Sequence, residues 1–403
     1  MRNGPMLRLG VTLLAGALAL TACGSRGEES ADSASTTLKI AFDAPLTGAL
    51  AAVGLGMQHS AELAVKDAND GKLVPGVTFE LVAKDDQATP SIGQQNAAAF
   101  VADKDVVGVV GAYNSSVSLS MMPTLADADL VQISGANTNP TLTRGEKDVE
   151  APARQFPTYF RTVTTDTNEA PELSKYLIEE LGVKEVATVN DGKVYGLGVA
   201  TKFAAKFEEL GGKVVLKQQI GEKDTDFSAV VSNIKNSGAK AVVYGGEYPQ
   251  AGPLSKQLKA AGVDVPVLGC DAVFDAEYIK LAGEAAEGDV ATTAARPIGD
   301  TDAQKKFIEA YTAAGHTEPY GIFGPYTYDA VQSILQGVKA AVEANGGKVP
   351  ADGLRKAVTD AVQTVSFDGL TGPIAYDEFG DNKNYDVTLN IVKDGKWTVL
   401  EQS

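Results

Sequence analysis

The stretch VVGVVGAYNSS, residues 106–116, is an unbroken apolar run that ends in a glycine turn and small polar residues. A strand that is apolar at every position is typical of a parallel sheet covered by helices on both faces. Serines after such a turn favour the first turn of a helix. The stretch therefore predicts a buried parallel strand, a polar loop at its carboxyl end, and a helix that ends near Asp127.

The same alternation of short apolar runs and helical patterns continues on both sides of this segment. We predict further strands at Leu38–Phe42, Val77–Ala83, Val131–Ser134, Val186–Val189, Val214–Ile220, Ala241–Tyr244, Pro266–Leu268 and Val290–Thr293. Helical spacing predicts helices at Met57–Asn69, Gln94–Ala102, Glu172–Leu181, Leu197–Leu210, Phe227–Asn236, Ala303–Ala314, Thr327–Glu343 and Leu354–Ala361. From Gly372 onward, polar and β-branched residues predict short antiparallel strands that end near Trp397. The predicted fold class is α/β, with two doubly wound parallel-sheet lobes, because 403 residues exceed one ordinary core.

The loops at the carboxyl ends of the strands are the expected binding surface, since open α/β sheets bind ligands there. They follow Val110, Ser134, Val189, Tyr244 and Leu268. The first of these loops contains backbone N–H groups and serine hydroxyls at a helix N-terminus, which suit a carboxylate or another anion. The same residues would equally serve as a plain helix cap.

The N-terminus has the pattern of an export signal. Residues 1–22 contain Arg2 and Arg8, no acidic residue, and an apolar run that is too short to span a membrane comfortably. The exit LTAC, residues 20–23, resembles the bacterial lipobox, in which the cysteine becomes the lipidated first residue. We therefore predict a signal peptide at 1–22, lipidation of Cys23, a flexible tether at 23–37, and an exported protein anchored to the outer face of the cell membrane.

Composition excludes several partners. The net charge of −17 would become about −19 without the two signal-peptide arginines, which argues against nucleic acid and against anionic lipid surfaces. Cys270 is the sole thiol left once Cys23 is acylated, so no internal disulfide is expected.

The residues of an enzyme are missing from the pattern. His59 and His316 are far apart in sequence and are predicted to be separate surface residues, and no nucleophile, phosphate-loop or metal-ligand motif is present. The adjacent acids Asp85 and Asp86 follow a strand, where a solvated turn or a helix cap explains them. We predict that the protein is not an enzyme and uses no cofactor and no metal.

Short motifs in the predicted loops resemble those of a known family. They are Pro45–Gly48, Asp85–Asp86, Gly111–Ser116, Thr138–Pro140, Arg161–Thr162, Asp191 with Tyr195–Gly196, Asp226–Ser228, Tyr244–Gly246, Gly283–Gly288 and Gly369–Pro373. In this order the chain resembles the periplasmic leucine/isoleucine/valine-binding proteins of ABC transporters, which have the type I bilobed fold. The resemblance covers nearly all of residues 38–400.

The resemblance implies roles for individual residues. Ser115 and Thr138 match positions that hold the ligand's α-carboxylate, and Asp166 and Asp271 match those that hold its α-ammonium. An ammonium has three donors and no acceptor, so carboxylates suit it. The other predicted ligand-binding residues are Tyr113, Ala136, Asn137, Tyr195, Glu247 and Phe323. Tyr195 and Phe323 would also fit a plain core, and Asp166 a helix cap.

Departures from the family pattern concern the pocket. Val53 stands where some relatives have an aromatic residue, and Glu247 adds a third acid near the expected cleft. Two hypotheses follow: Glu247 rather than Asp271 takes the ammonium, or the ligand carries an extra donor. The disulfide of some relatives is not matched, because Ala88 and Asn114 occupy those positions.

The resemblance also implies a mechanism and partners. It places lobe 1 at residues 38–163 and 295–367 and lobe 2 at 164–294 and 368–403, with crossovers near Arg161–Thr165, Thr293–Pro297 and Phe367–Gly372. A monomer would close its lobes around an amino acid, most simply a branched-chain one, and dock on a membrane permease. The same fold also serves amide, urea and aromatic-acid binding, and a role as an extracellular sensor stays open.

Overall fold

The structure is a computed structural model that describes residues 36–294 and 298–400. The predicted signal peptide, Cys23 and nearly all of the predicted tether lie outside these ranges. So does Pro297 at the predicted second crossover.

Strands and helices alternate through most of the described chain. The strands are β1 Thr36–Ala44, β2 Val77–Asp85, β3 Val106–Gly111, β4 Gln132–Ser134, β5 Tyr159–Arg161, β6 Glu185–Asn190, β7 Lys213–Gln219, β8 Val242–Gly245, β9 Val267–Gly269, β10 Val290–Thr293, β11 Ser366–Gly369, β12 Gly372–Ala375, β13 Thr388–Lys393 and β14 Lys396–Val399. The α-helices are α1 Ala51–Asp70, α2 Pro90–Ala102, α3 Ser115–Ala126, α4 Thr141–Arg144, α5 Asp166–Lys175, α6 Val194–Glu209, α7 Ser228–Ser237, α8 Tyr248–Ala260, α9 Ala276–Ala282, α10 Asp302–Ala314, α11 Phe323–Ala344 and α12 Leu354–Val362. A π-helical turn, Tyr176–Glu180, extends α5, and 3₁₀ turns occupy Asp271–Val273 and Gly283–Ala286.

The first sheet has five parallel strands in the order β2-β1-β3-β4-β5. Both of its faces are covered. Ile40 of β1 packs in a cluster with Met57 of α1 and Ile334 of α11, whereas the next residue, Ala41, packs with residues of α2 and α3 such as Phe100. Burial on two faces explains why β3 is apolar at every position.

The second sheet has seven strands in the order β14-β13-β10-β9-β8-β6-β7. Five of these strands are parallel: β10, β9, β8, β6 and β7. Strands β13 and β14 add an antiparallel edge, as the C-terminal sequence predicts. Residues of α5 and α6 cover one face, and residues of α7, α8 and α9 cover the other. The predicted α/β class with parallel sheets is confirmed.

Sequence patterns missed five elements: β5, β11, α4, α8 and α9. Strand β5 has only three residues, which is too short for a periodic signal. Helix α8 contains Pro249 in its first turn and Pro253 in its interior, and proline normally argues against a helix interior. Helix α9 has only seven residues. Tertiary packing forms these elements in spite of weak local patterns.

The chain passes between the two sheets three times. The first passage follows β5 and the second follows β10. Residues after β12 still contact the five-stranded sheet, because Asp381 forms a parallel bridge with Arg161 and Asn382 donates to the Thr162 carbonyl at 3.1 Å. The third passage therefore comes after Asn382 rather than within Phe367–Gly372. The predicted lobe boundaries themselves stay predictions.

Within the described ranges, every helix is too short or too polar to cross a lipid bilayer.

Candidate functional site

Loops from the carboxyl ends of both sheets meet around one small cavity. It is lined by Tyr113, Asn114, Ser115, Ala136, Tyr195, Glu247, Asp271, Ala272 and Phe323. Seven of the ten residues predicted from the sequence to bind a ligand are among these lining residues. Strand ends position them, because the carboxyl ends of parallel strands share an edge of the sheet. Their contact with a ligand stays a prediction.

The five-stranded sheet contributes hydroxyl and amide groups. Ser115 is the first residue of α3, so the site borders the unpaired N–H groups of a helix N-terminus. The hydroxyl of Thr138, in the loop after β4, is buried and has no hydrogen-bond partner within the described chain. An unpaired buried hydroxyl costs free energy unless a ligand or water bonds to it. This side of the site can therefore donate to a carboxylate.

Asn137 has a different role from Thr138, the next residue in the loop after β4. Its Nδ2 donates to the Tyr113 carbonyl at 2.7 Å, and its Oδ1 accepts from the Tyr159 hydroxyl at 2.9 Å. Both ends of the amide therefore bond to protein. The side chain joins the loops after β3 and β4, while the prediction that it touches the ligand stays untested.

Two of the predicted acids are Asp271, which lines the cavity, and Asp166, which lies next to Thr138. Asp166 is the first residue of α5 and is fully buried, and neither of its carboxylate oxygens has a hydrogen-bond partner among residues 36–294 and 298–400. Asp271 follows β9, and its Oδ1 accepts from the Tyr195 hydroxyl and the Ala272 N–H, both at 2.8 Å. Its Oδ2 is buried and unpaired in the same part of the chain. Three carboxylate oxygens are thus left open to a cation.

A third acid of this cluster, Glu169, was missed from the sequence. Its Oε2 accepts from the Thr292 hydroxyl at 3.0 Å, and its Oε1 has no partner in the described ranges. Its position three residues after Asp166 on one helix was the available signal, since residues three apart share a helix face. The sequence pattern was instead interpreted as only the start of that helix. We call Asp166, Glu169 and Asp271 the acidic cluster.

Burial dominates the electrostatics of the acidic cluster. It raises the pKa of Asp166 to about 7, and the nearby carboxyl of Asp271 adds to the rise. It also raises the pKa of Asp271 to about 7, although hydrogen bonds from Tyr195 and the Ala272 N–H oppose the change. Burial, then Asp271, then Asp166, raise the pKa of Glu169. Ionised carboxylates in a dry site need a counter-charge, and no salt bridge among the described residues supplies one.

Glu247 contrasts with these acids because its charge is paired. Lys193 Nζ lies 3.0 Å from Glu247 Oε2, and the Asn114 side-chain amide donates to Oε1. Sequence reasoning missed Lys193, although it follows Asp191 in a loop at a strand end. Asn114 comes from the five-stranded sheet and Glu247 from the seven-stranded one, so this bond joins the two sides of the site.

Aromatic and aliphatic groups complete the site. The rings of Tyr113 and Phe323 pack edge to face with centroids 5.4 Å apart. Both residues also line an adjoining cavity of about 70 Å³, whose lining includes Val53, Phe274 and Ile322. This apolar surface suits an uncharged side chain of moderate size.

Close approach of backbones also shapes the site. A Cβ at Gly198 of α6 would lie 2.3 Å from Asn139 Nδ2 and 3.3 Å from Asp166 Oδ2. A Cβ at this position would therefore require the Asn139 side chain to move. Asn139 donates to the Val194 carbonyl at 2.8 Å at the same junction.

The remaining candidate groups lie elsewhere or are inert. His59 and His316, predicted to be separate on the surface, are half-buried and stack with ring centroids 3.7 Å apart. The fold brings α1 and the segment after α10 together, which their separation in sequence does not reveal. In the ranges that the structure describes, no group of three or more His, Cys, Asp or Glu is arranged to hold a metal ion. Cys270 is a buried free thiol beside Asp271.

Comparison with known proteins gives the family. A family model described as periplasmic binding protein matches residues 37–394. The leucine-, isoleucine-, valine-, threonine-, and alanine-binding protein of Pseudomonas aeruginosa is 32% identical over 356 residues, 88% of this chain and 90% of the relative. A leucine-binding protein from Thermotoga maritima has a TM-score of 0.78 at 29% identity, with 90% of this chain and 98% of that one covered.

A branched-chain amino acid transporter substrate-binding protein from Streptococcus pneumoniae, solved in complex with isoleucine, has a TM-score of 0.77 at 25% identity. The match covers 91% of this chain and 99% of that one. These relatives are binding proteins, and the family is extracytoplasmic. The chain, matched over most of its length, belongs to the periplasmic binding protein family.

Proposed function

We propose that this protein is the solute-binding component of an ABC importer and binds an amino acid of the branched-chain type between its two sheets. The observation that carries the proposal is that hydrogen-bond donors and carboxylate oxygens without protein partners are found in the same site. Hydroxyl and N–H donors at Ser115 and Thr138 occur together with unpaired carboxylate oxygens of Asp166 and Asp271. An α-amino acid has the two complementary charges on adjacent atoms.

Each end of the ligand has a chemical partner in this arrangement. The α-carboxylate accepts from Thr138 and from the N-terminus of α3. The α-ammonium donates to Asp166 and Asp271 and supplies the positive charge that the acidic cluster lacks. Tyr113 and Phe323 pack against an aliphatic side chain. The relatives named for leucine, isoleucine and valine, and the one solved with isoleucine, support this ligand class.

Closure of the two sides around the ligand is the accompanying mechanism. Groups of the two sheets already bond across the site, as in the Tyr248 hydroxyl, which donates to the Ala49 carbonyl at 2.8 Å. A ligand that contacts both sides stabilises the closed form by its differential affinity for that form. The anchor through Cys23 and delivery to a membrane permease belong to the same proposal, supported by the LTAC pattern and by the family.

A panel of ligands tests the proposal. The soluble chain from Gly24 is titrated by calorimetry and thermal shift with leucine, isoleucine, valine, threonine, alanine, urea, acetamide and benzoate. We expect leucine, isoleucine or valine to bind most tightly and to raise the unfolding midpoint in proportion to ligand excess. Binding of benzoate or an amide with no response to any amino acid would reject the amino-acid assignment. The Asp166→Asn variant serves as the site control.

A further inference from the structure

A single guanidinium lies directly behind the loop that carries Thr138. Arg161, the last residue of β5, is fully buried. Its Nη1 donates to the Asn137 carbonyl at 2.6 Å, and its Nη2 donates to the Asn139 carbonyl at 2.9 Å. Nη2 also donates to Thr143 Oγ1 at 2.9 Å. The guanidinium therefore holds the peptide carbonyls on both sides of Thr138.

The carbonyl of Thr138 itself extends this arrangement to the acidic cluster. It accepts from the backbone N–H of Asp166 at 2.8 Å, and Asp166 begins α5. One short loop thus sets the position of the unpaired hydroxyl of Thr138 and of the unpaired carboxylate of Asp166. A shift of this loop would change the distance between the two groups that receive opposite ends of the ligand.

The charge of Arg161 is balanced away from the ligand. Its Nε lies 2.8 Å from Asp381 Oδ1, and Arg144 Nε lies 2.8 Å from Asp381 Oδ2. The backbone N–H of Arg161 also donates to the Gly380 carbonyl at 3.0 Å. The Nη donors already bond to Asn137, Asn139 and Thr143, so they are not free for the ligand carboxylate.

We infer that Arg161 is a positioning residue for ligand binding: its guanidinium fixes the backbone on both sides of Thr138 and thereby the spacing between the Thr138 hydroxyl and the Asp166 carboxylate. The ligand in this inference rests on the proposed function, whereas the hydrogen bonds of Arg161 to the loop do not depend on it. Arginine suits it because its donors are planar and fixed in direction, whereas a lysine ammonium is a single flexible point charge that cannot hold two carbonyls in the same way.

Arg154 provides a matched control. It is a second, partly buried arginine that ties the same region together, because it donates to the Tyr159 carbonyl at 2.9 Å, the Pro157 carbonyl at 3.0 Å and the Glu378 carbonyl at 3.1 Å. None of its hydrogen bonds within the described chain reaches residues 135–140. If both arginines only stabilised the fold, their substitutions should have the same effect on ligand binding. A positioning role predicts that only the substitution of Arg161 weakens binding.

The test compares Arg161→Lys with Arg154→Lys in the soluble chain from Gly24. Three quantities are measured: the unfolding midpoint, the dissociation constant for L-leucine, and ligand-free hydrogen exchange of peptides covering residues 162–170. We expect both variants to lose stability. Only Arg161→Lys should weaken leucine binding, by about tenfold or more, equivalent to about 1.4 kcal/mol. Only Arg161→Lys should also speed exchange at the Asp166 amide.

Each outcome decides the role of Arg161. Equal leucine affinity and equal exchange in the two variants would overturn the inference. If the parent binds no leucine, the proposed ligand fails, but the exchange comparison still tests the positioning role. If Arg161→Lys does not fold, Thr143→Val replaces it, because it removes one acceptor of Nη2 at similar volume. Faster exchange at residues 162–170 in Thr143→Val than in Thr143→Ser then supports the role, and equal exchange rejects it.

Discussion

Two groups of buried acids lie in the same site and differ in one respect. Glu247 is 4% exposed and is matched by Lys193 and Asn114, whereas Asp166, Glu169 and Asp271 are at most 1% exposed and have unpaired oxygens. The sequence predicts acids in the cleft but does not separate the two groups. A buried carboxylate without a partner is a better candidate for binding a cationic ligand than one whose charge is paired within the protein.

In the sequence, Glu247 leaves open which acid binds the ammonium of the ligand. A spare third acid would have required either a different ammonium partner or a ligand with an extra donor. The ion pair with Lys193 satisfies Glu247 within the protein. The ammonium is therefore expected at the acidic cluster, and a leucine-like ligand needs no additional donor. Four experiments test the contrast between the two groups.

The Asp166→Asn substitution should have the largest effect. It removes the acid with two unpaired oxygens at nearly constant volume, so the ligand ammonium would lose a charged partner in a dry site. We expect leucine affinity to fall about a hundredfold, equivalent to about 2.8 kcal/mol, while the ligand-free protein becomes no less stable. Calorimetric titration and thermal unfolding measure both. A loss under about threefold would remove Asp166 from the site.

The Asp271→Asn substitution should have the next largest effect. Asp271 already accepts two hydrogen bonds on Oδ1, so only Oδ2 is free for the ammonium. We expect leucine affinity to fall by about ten- to thirtyfold, because one charge-assisted hydrogen bond is lost. The Tyr195→Phe variant is the control for the supporting bond. If Tyr195→Phe weakened binding more than Asp271→Asn, the Tyr195 hydroxyl rather than the acid would be the main contact.

Acidification should weaken binding by about tenfold between about pH 8 and pH 6. The pKa values of Asp166 and Asp271 are both raised to about 7 in the ligand-free protein, and the ammonium requires one of the two carboxyls ionised. Ligand binding therefore releases protons below about pH 7, and affinity rises with pH and then levels off. Leucine titrations in buffers of different ionisation enthalpy would measure this release. Affinity that does not change with pH would contradict it.

The same raised pKa values should make the stability of the ligand-free protein fall as pH rises, whereas ligand affinity rises. A carboxyl with a raised pKa binds its proton more tightly in the folded chain than in the unfolded chain. Its contribution to stability is therefore full at low pH and is lost as pH rises toward about 7. Other buried acids with raised pKa values, such as Asp191, contribute to the same slope. A smaller slope of ligand-free stability in Asp166→Asn than in the parent would assign part of it to the acidic cluster, and an unchanged slope would contradict the assignment.

The Glu247→Gln substitution should have the smallest effect on affinity, within about threefold, because Glu247 already has its protein partners. Lys193→Met is the informative companion, since it leaves Glu247 as a buried acid without its cation. We expect Lys193→Met to destabilise the protein and the Glu247→Gln change to restore part of that loss in the double variant. A tenfold fall in leucine affinity in Glu247→Gln would instead indicate that Glu247 binds the ammonium.

The sequence by itself determined the α/β class and the positions of most strands and helices. Apolar runs such as 106–110 bury the same surface wherever they lie in the sheet, so their pattern is a local property of the chain. It also indicated that loops at strand ends would form the site, because the ends of parallel strands converge. Short or proline-containing elements such as β5 and α8 lacked that local signal.

Only the tertiary structure decided which polar groups have partners. Glu247 is separated from Lys193 by 54 residues, and Arg161 is separated from Asp381 by far more than a hundred. Glu169 becomes part of the site because the end of β9 brings Asp271 close to α5. Hydrophobic burial depends on residue type and local spacing, whereas ion pairing falls off over a few ångströms, so the partners of buried charges follow only from the folded distances.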